Sequence, residues 1–228
     1  MCLLFFDYLT LYKVLTLLSF FRECLHKIFY TILLESDFSE TIKYVSLSEE
    51  NFNTYSAIYL KQLLATCSEI DVLLSFLAKL YNPNCKDTGF GCSKILLENE
   101  PDIKNLQIEV KNKDIILQPW QCSSIPNWWT AYNEIKHNRF ADATKFDKTK
   151  KYYQYANLDN VLKSLAALFF LELYAYKKLA QIENHQQFIP NIKSIFSVKN
   201  SYWENSNVGS GTLFIDGCLY IDNDCEFY

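Results

Sequence analysis

Apolar residues recur along this chain at two periods, and the change from one to the other divides it. Tyr55, Ile58, Tyr59, Leu63, Leu64, Cys67, Ile70, Leu74, Leu77 and Tyr81 follow one another at helical spacing, which marks one buried face. Asn53 or Thr54 is the expected cap, and Asn82-Pro83-Asn84 ends the helix, since proline cannot continue it. An earlier helix is expected over residues 3–34, with a break near 22, followed by a polar connector over 35–52. After Tyr81 the helical period is lost. NPNCKDTGFGCSK, residues 82–94, reads as loop, and LQIEV, KNKD and IILQPW read as two short strands around a polar turn.

Helical spacing then returns. Ser124-Ile125-Pro126 opens a helix running to about Phe140, with Ser124 as cap and Pro126 in its first turn. A lysine-rich link follows, and Asn157 caps a last helix, LDNVLKSLAALFFLELYAYKKLA. Its middle, AALFFLELY, is apolar nearly all round, as befits the centre of a bundle. Beyond Pro190, KSIFSV and GTLFIDGCLYID alternate like short strands. The predicted fold is mainly α: a helical bundle over residues 1–187, a hairpin insertion at about 103–120, and a strand-rich appendage over 188–228.

Composition sharpens this picture. Half of the 228 residues are hydrophobic and 16% are aromatic, enough for a large core. Five glycines and five prolines are too few for a sandwich of many short strands. The net charge of −4 excludes a generally basic surface for nucleic acid. Charge is nonetheless uneven. Lys136, Arg139, Lys145, Lys148, Lys150 and Lys151 crowd one stretch against Asp142 and Asp147, while residues 216–226 are acidic. The eight cysteines form no CxxC pair and have no histidine placed to complete a zinc set. They read as reduced thiols of a cytoplasmic protein, with no metal or other cofactor expected. Residues 2–21 are strongly apolar, yet Asp7, Thr10, Lys13, Thr16 and Ser19 lay a polar stripe along them. That pattern favours a buried helix over a membrane-associated segment.

Candidate chemistry concentrates in WWTAYNEIKHNRF, residues 128–140. Residues four apart on a helix are separated by about 40° around its axis, so Asn133 and His137 share a face. His137 is the middle one of three histidines. Such a side chain serves as acid or base near neutral pH when a partner orients it, and Asn133 is the candidate orienter. Lys136 or Arg139 could hold a phosphate. Trp129, with Trp128, is the candidate platform for a stacked base. Glu69, on the preceding long helix, could reach His137 or Lys136, whereas Asp71 reads as solvated. Against all this stands the plainer reading, in which the tryptophans are core and the histidine is structural.

WWTAYNEIKHNRF, its lysine-rich link and ANLDNVLKSLAALFFLELY together resemble the C-terminal half of HEPN-like bacterial proteins. TYSAIYLKQLLATCSEIDVLL resembles the long helix that precedes this part, so the likeness covers residues 53–180. The resemblance implies a helical bundle, often a homodimer. It also implies an RNA-binding or metal-independent RNA-cleaving protein of toxin–antitoxin or antiphage systems, with RNA and an antitoxin or other protein as partners. The family motif is an Arg, often followed directly by Asn, and a His a few residues later. Asn133 and His137 match it, but Tyr132 stands at the Arg position. A neutral phenol cannot replace a guanidinium at a developing charge. The alternative is therefore a helical dimerisation or interaction module that keeps the fold without catalysis.

Overall fold

A computed structural model describes residues 31–122, 125–182, 194–199, 213–215 and 218–220. The earlier part of the first predicted helix, the apolar segment 2–21 and Ser124 lie outside the described residues.

The first described element, α1, covers residues 31–41 and enters the stretch expected to be connector. Its polar residues conceal it in the sequence because they point inward and find partners. Thr31 and Glu35 are buried with Phe38. Thr31 donates to Glu172 Oε1 at 2.5 Å. Glu35 accepts from Ser194 Oγ at 2.7 Å and from the Ile195 amide at 2.9 Å. Burial pushes the Glu35 carboxyl above its ordinary value, against these two bonds and the Lys111 charge.

Helix α2 spans Ala57–Tyr81 and buries Tyr59, Leu63, Cys67, Ile70, Leu74 and Leu77 of the expected stripe, whereas Tyr55 and Ile58, at its start, are exposed. Its cap is Ser56, whose Oγ accepts from the Tyr59 amide at 3.0 Å, and not Asn53 or Thr54. Thr54 is otherwise engaged: its carbonyl accepts from the Leu158 amide at 2.9 Å, and Tyr55 bridges Asn157. The last five residues of NPNCKDTGFGCSK are helical, not loop. Helix α3 spans Phe90–Asn99 and buries Cys92, Ser93 and Leu96. Gly89, Gly91 and a run of small polar residues weaken its apolar signal. Gly89, with φ +58° and ψ −136°, makes the turn into the helix, a conformation that a side chain disfavours.

Strands β1 (Ile108–Val110) and β2 (Ile116–Leu117) form the expected hairpin, pairing Ile108 with Leu117. Asn112 takes the positive-φ position in its turn. The other edge of β1 takes β3 (Phe196–Val198), with Ile108 opposite Val198 and Val110 opposite Phe196. The insertion and the tail therefore share one antiparallel sheet, ordered β2-β1-β3. Farther on, β4 (Leu213–Ile215) and β5 (Cys218–Tyr220) pair with each other.

Helix α4 spans Asn127–Asn138, and α5 spans Leu158–Ile182. Asn157 caps α5 as expected, its Oδ1 accepting from the Asn160 amide at 3.0 Å. The apolar middle of α5 is buried from Ser164 to Ala175, and α2 and α4 pack against it. This is a mainly helical fold centred on α5 with a small three-stranded antiparallel sheet. No helix among the described residues is long and apolar enough to cross a membrane.

Candidate functional site

The orientation of α4 decides which residues of WWTAYNEIKHNRF are available. Trp128, Trp129, Ala131, Tyr132 and Ile135 face the core. The Trp128 indole donates to the Pro119 carbonyl at 2.8 Å and so ties α4 to the end of the hairpin. Trp129 is 2% exposed and sits among Phe90, Trp128 and Tyr132. No base can stack on a ring closed on every side, so the tryptophan platform is corrected to core.

Tyr132, at the family's arginine position, also points inward and is 5% exposed. The Lys136 ammonium lies 5.5 Å from its ring centroid. Burial pushes the phenol above its ordinary value, and Lys136 pulls the other way. The carboxylate acting on this phenol is Asp71, not Glu69. One Asp71 oxygen is buried without a hydrogen-bond partner, near Gly89. Asp71 is thus half-buried, where the sequence suggested a solvated side chain. Glu69, half-buried on α2, makes no hydrogen bond or ion pair with His137 or Lys136.

Asn133 is half-buried, and Lys136 and His137 are exposed. Asn133 and His137 share a face as expected, but no hydrogen bond joins them. Arg139 ends the helix as its C-cap, and its Nε is buried with no hydrogen-bond partner. Placing Lys136 and His137 in the last turn suits the negative end of the helix dipole.

The lysine-rich link is an ordered loop. Asp142 bridges Lys151, the Ala143 amide donates to the Lys150 carbonyl at 2.8 Å, and the Tyr153 amide donates to the Arg139 carbonyl at 3.1 Å. A 3-10 helix over Tyr152–Tyr155 closes the loop. Residues three apart eclipse in such a helix, so Tyr152 and Tyr155 turn together toward the loop. Their hydroxyls accept from the Lys145 and Asp147 amides at 3.3 and 3.0 Å.

The acidic groups here are already engaged. Glu134 pairs with Lys145 and accepts from Asn138 at 3.0 Å, which holds its carboxyl below the ordinary value. Asp142 pairs with Lys151 at 2.6 Å. Asp147 accepts twice from Thr149. Glu134, Asn138, Asp142 and Lys145, with Thr144 and Tyr152, line an open cleft of about 550 Å³. Lys136, His137, Arg139, Lys148 and Lys150 are left without an ion pair among the described residues.

A second polar cluster, with almost no signal in the sequence, joins α2, α3 and α5. The Tyr81 hydroxyl donates to Glu100 Oε1 at 2.9 Å and meets the Tyr174 hydroxyl at 2.5 Å. Lys178 pairs with Glu100 at 2.5 Å and lies over both tyrosine rings. The four-residue spacing of Tyr174 and Lys178 is its only local signal. Its groups satisfy one another within the fold, which makes it a structural network. Cys67, Cys85, Cys92 and Cys122 are free thiols, and burial pushes Cys67 well up. No group of three or more His, Cys, Asp or Glu side chains among the described residues could hold a metal.

No family model, curated protein or solved structure matches this chain.

Proposed function

We propose that this chain is an HEPN-like RNA-binding protein that engages RNA through the last turn of α4 and the lysine loop beyond it. One observation carries this reading. Lys136, Arg139, Lys148 and Lys150 form no salt bridge among the described residues along one ordered stretch, while Glu134 and Asp142 are paired with other lysines. Lysine and arginine side chains without a salt bridge, on an otherwise acidic protein, give a local site for a phosphate backbone. The sequence resemblance supplies RNA as the polyanion.

In the cleaving form of this reading, His137 acts as acid or base on the ribose 2′-hydroxyl and Asn133 orients it. Lys136 or Arg139 balances charge on the phosphate. The second reading is the helical dimerisation or interaction module without catalysis. It is favoured by the inward placement of Tyr132 and by the lack of a bond between Asn133 and His137.

The deciding experiment incubates a labelled mixed RNA pool with purified protein in EDTA, beside His137→Ala and Lys136→Ala variants. The cleaving form is expected to yield cyclic-phosphate ends that vanish with His137→Ala. Intact RNA bound in a salt-dependent way supports binding without cleavage. Removing one phosphate-binding cation, by Lys148→Ala or Lys150→Ala, should flatten the logarithmic salt slope by roughly 0.7 for single strands. A folded protein that binds no RNA at low salt overturns the proposal and leaves the interaction module.

A further inference from the structure

The tyrosines that close the lysine loop do not all serve it. Tyr152 and Tyr155 turn inward, whereas Tyr153, between them, turns toward a different neighbourhood. Its ring lies 5.8 Å from that of Tyr55 and 6.2 Å from that of Phe140. The interplanar angles are 67° and 59°, so no two rings close face to face. Phe140 is 75% exposed and Tyr55 is 45% exposed. Three elements distant in sequence therefore present one aromatic ridge to solvent: the entry to α2, the end of α4 and the 3-10 helix.

The ridge is fastened on both sides. Tyr55 bridges Asn157, and the Tyr153 amide donates to the carbonyl of Arg139, the residue before Phe140. Several basic side chains stand near it. Arg139 adjoins it, with a buried Nε that has no acceptor. Lys136 and His137 lie one turn back on α4. Lys150 lies over the Tyr155 ring, on the loop-facing side of the same 3-10 helix. Exposed rings beside basic side chains that form no salt bridge suit a polyanion that carries flat apolar groups. They do not suit an apolar helix, which would leave those cations desolvated and unpaired.

We infer that the Tyr55–Tyr153–Phe140 ridge is a stacking platform for unpaired bases and that the ligand of this face is single-stranded RNA. The inference rests on the RNA-binding reading and adds the form of the RNA. The lysines and Arg139 hold the backbone, and Phe140 takes a base on its open face. A duplex can reach the lysines but not the ridge, because its bases are already stacked inside it.

The test measures binding of the full chain to a fluorescent oligoadenylate and to an RNA duplex of equal length. The variants are Phe140→Ala, Phe140→Trp and Lys148→Ala/Lys150→Ala. Phe140→Ala should weaken single-strand binding by about tenfold, leave duplex binding unchanged, and be rescued by Phe140→Trp. The double lysine variant should weaken both ligands. Equal loss for both ligands with Phe140→Ala, or no loss, overturns the platform while leaving RNA binding intact. Binding of neither ligand by the folded wild type overturns both readings. A homodimer that dissociates with Phe140→Ala while single-strand affinity is unchanged would assign the ridge to a protein interface, against the proposal.

Discussion

Trp129 and Phe140 are both aromatic residues of α4 or its exit, and the structure places them in opposite environments that one pair of variants can separate. Trp129 is 2% exposed, with ring centroids of Phe90, Trp128 and Tyr132 at 5.7, 5.7 and 5.2 Å. Truncating such a side chain removes its transfer energy and leaves a cavity, at a cost of roughly 3–5 kcal/mol. That is a large share of the roughly 5–15 kcal/mol holding an ordinary domain together. With a urea slope near about 3 kcal/mol per molar, Trp129→Ala should lower the unfolding midpoint by about 1–2 M. Phe140, at 75% exposure, has little burial to lose, and Phe140→Ala should stay within about 0.5 kcal/mol of wild type. Urea titrations followed by circular dichroism measure both. The reasoning is refuted if Trp129→Ala costs less than about 1 kcal/mol. Loss of RNA affinity without loss of stability in that variant would return Trp129 to the surface.

Asn157→Ala should destabilise the fold by about 1 kcal/mol through loss of the α5 cap, with Asn157→Asp recovering most of it; equal denaturant midpoints for wild type and Asn157→Ala would refute the cap. Gly89→Ala places a Cβ at ordinary distances of 3.7 Å from Trp129 and 3.8 Å from Asp71, so its cost should come from the backbone, about 1–3 kcal/mol. A neutral result in thermal melts would show that the turn adjusts. Burial pushes the Glu100 carboxyl up, but the bonds from Lys178, Tyr174 and Tyr81 outweigh it and hold it below its ordinary 4.5. A depressed carboxyl contributes stability that is present above pH 4.5 and lost as pH falls through its lower folded value. Glu100→Gln should therefore flatten the acid limb of a melting-temperature profile, and an unchanged limb would refute the role of this network.

Legibility in the sequence followed the source of each element's stability. Helices α2 and α5 bury long apolar stripes that show at helical spacing, and Asn157 caps by a local bond. The hairpin also shows, because its two strands and turn are contiguous. The continuation of α1 over residues 35–41 does not, because Glu35 is satisfied by Ser194 and Ile195, far along the chain. Ser56 is the cap instead of its neighbours because Thr54 and Tyr55 are committed to α5.

The same division runs through the candidate site. Periodicity alone put Asn133 and His137 on one face of α4 and gathered the basic charge into the link after it. Which face of α4 meets the core was decided by packing against α5, α2 and the start of α3, and this turned Trp129 and Tyr132 inward. Tyr55, Phe140 and Tyr153 carry no common signal along the chain. They meet because the link folds back on the end of α4 and α5 bridges the entry to α2. Local propensity and period act over a few turns of chain. Which polar side chains are satisfied inside, and which aromatic rings are left outside, depends on residues brought close only when the chain closes on itself.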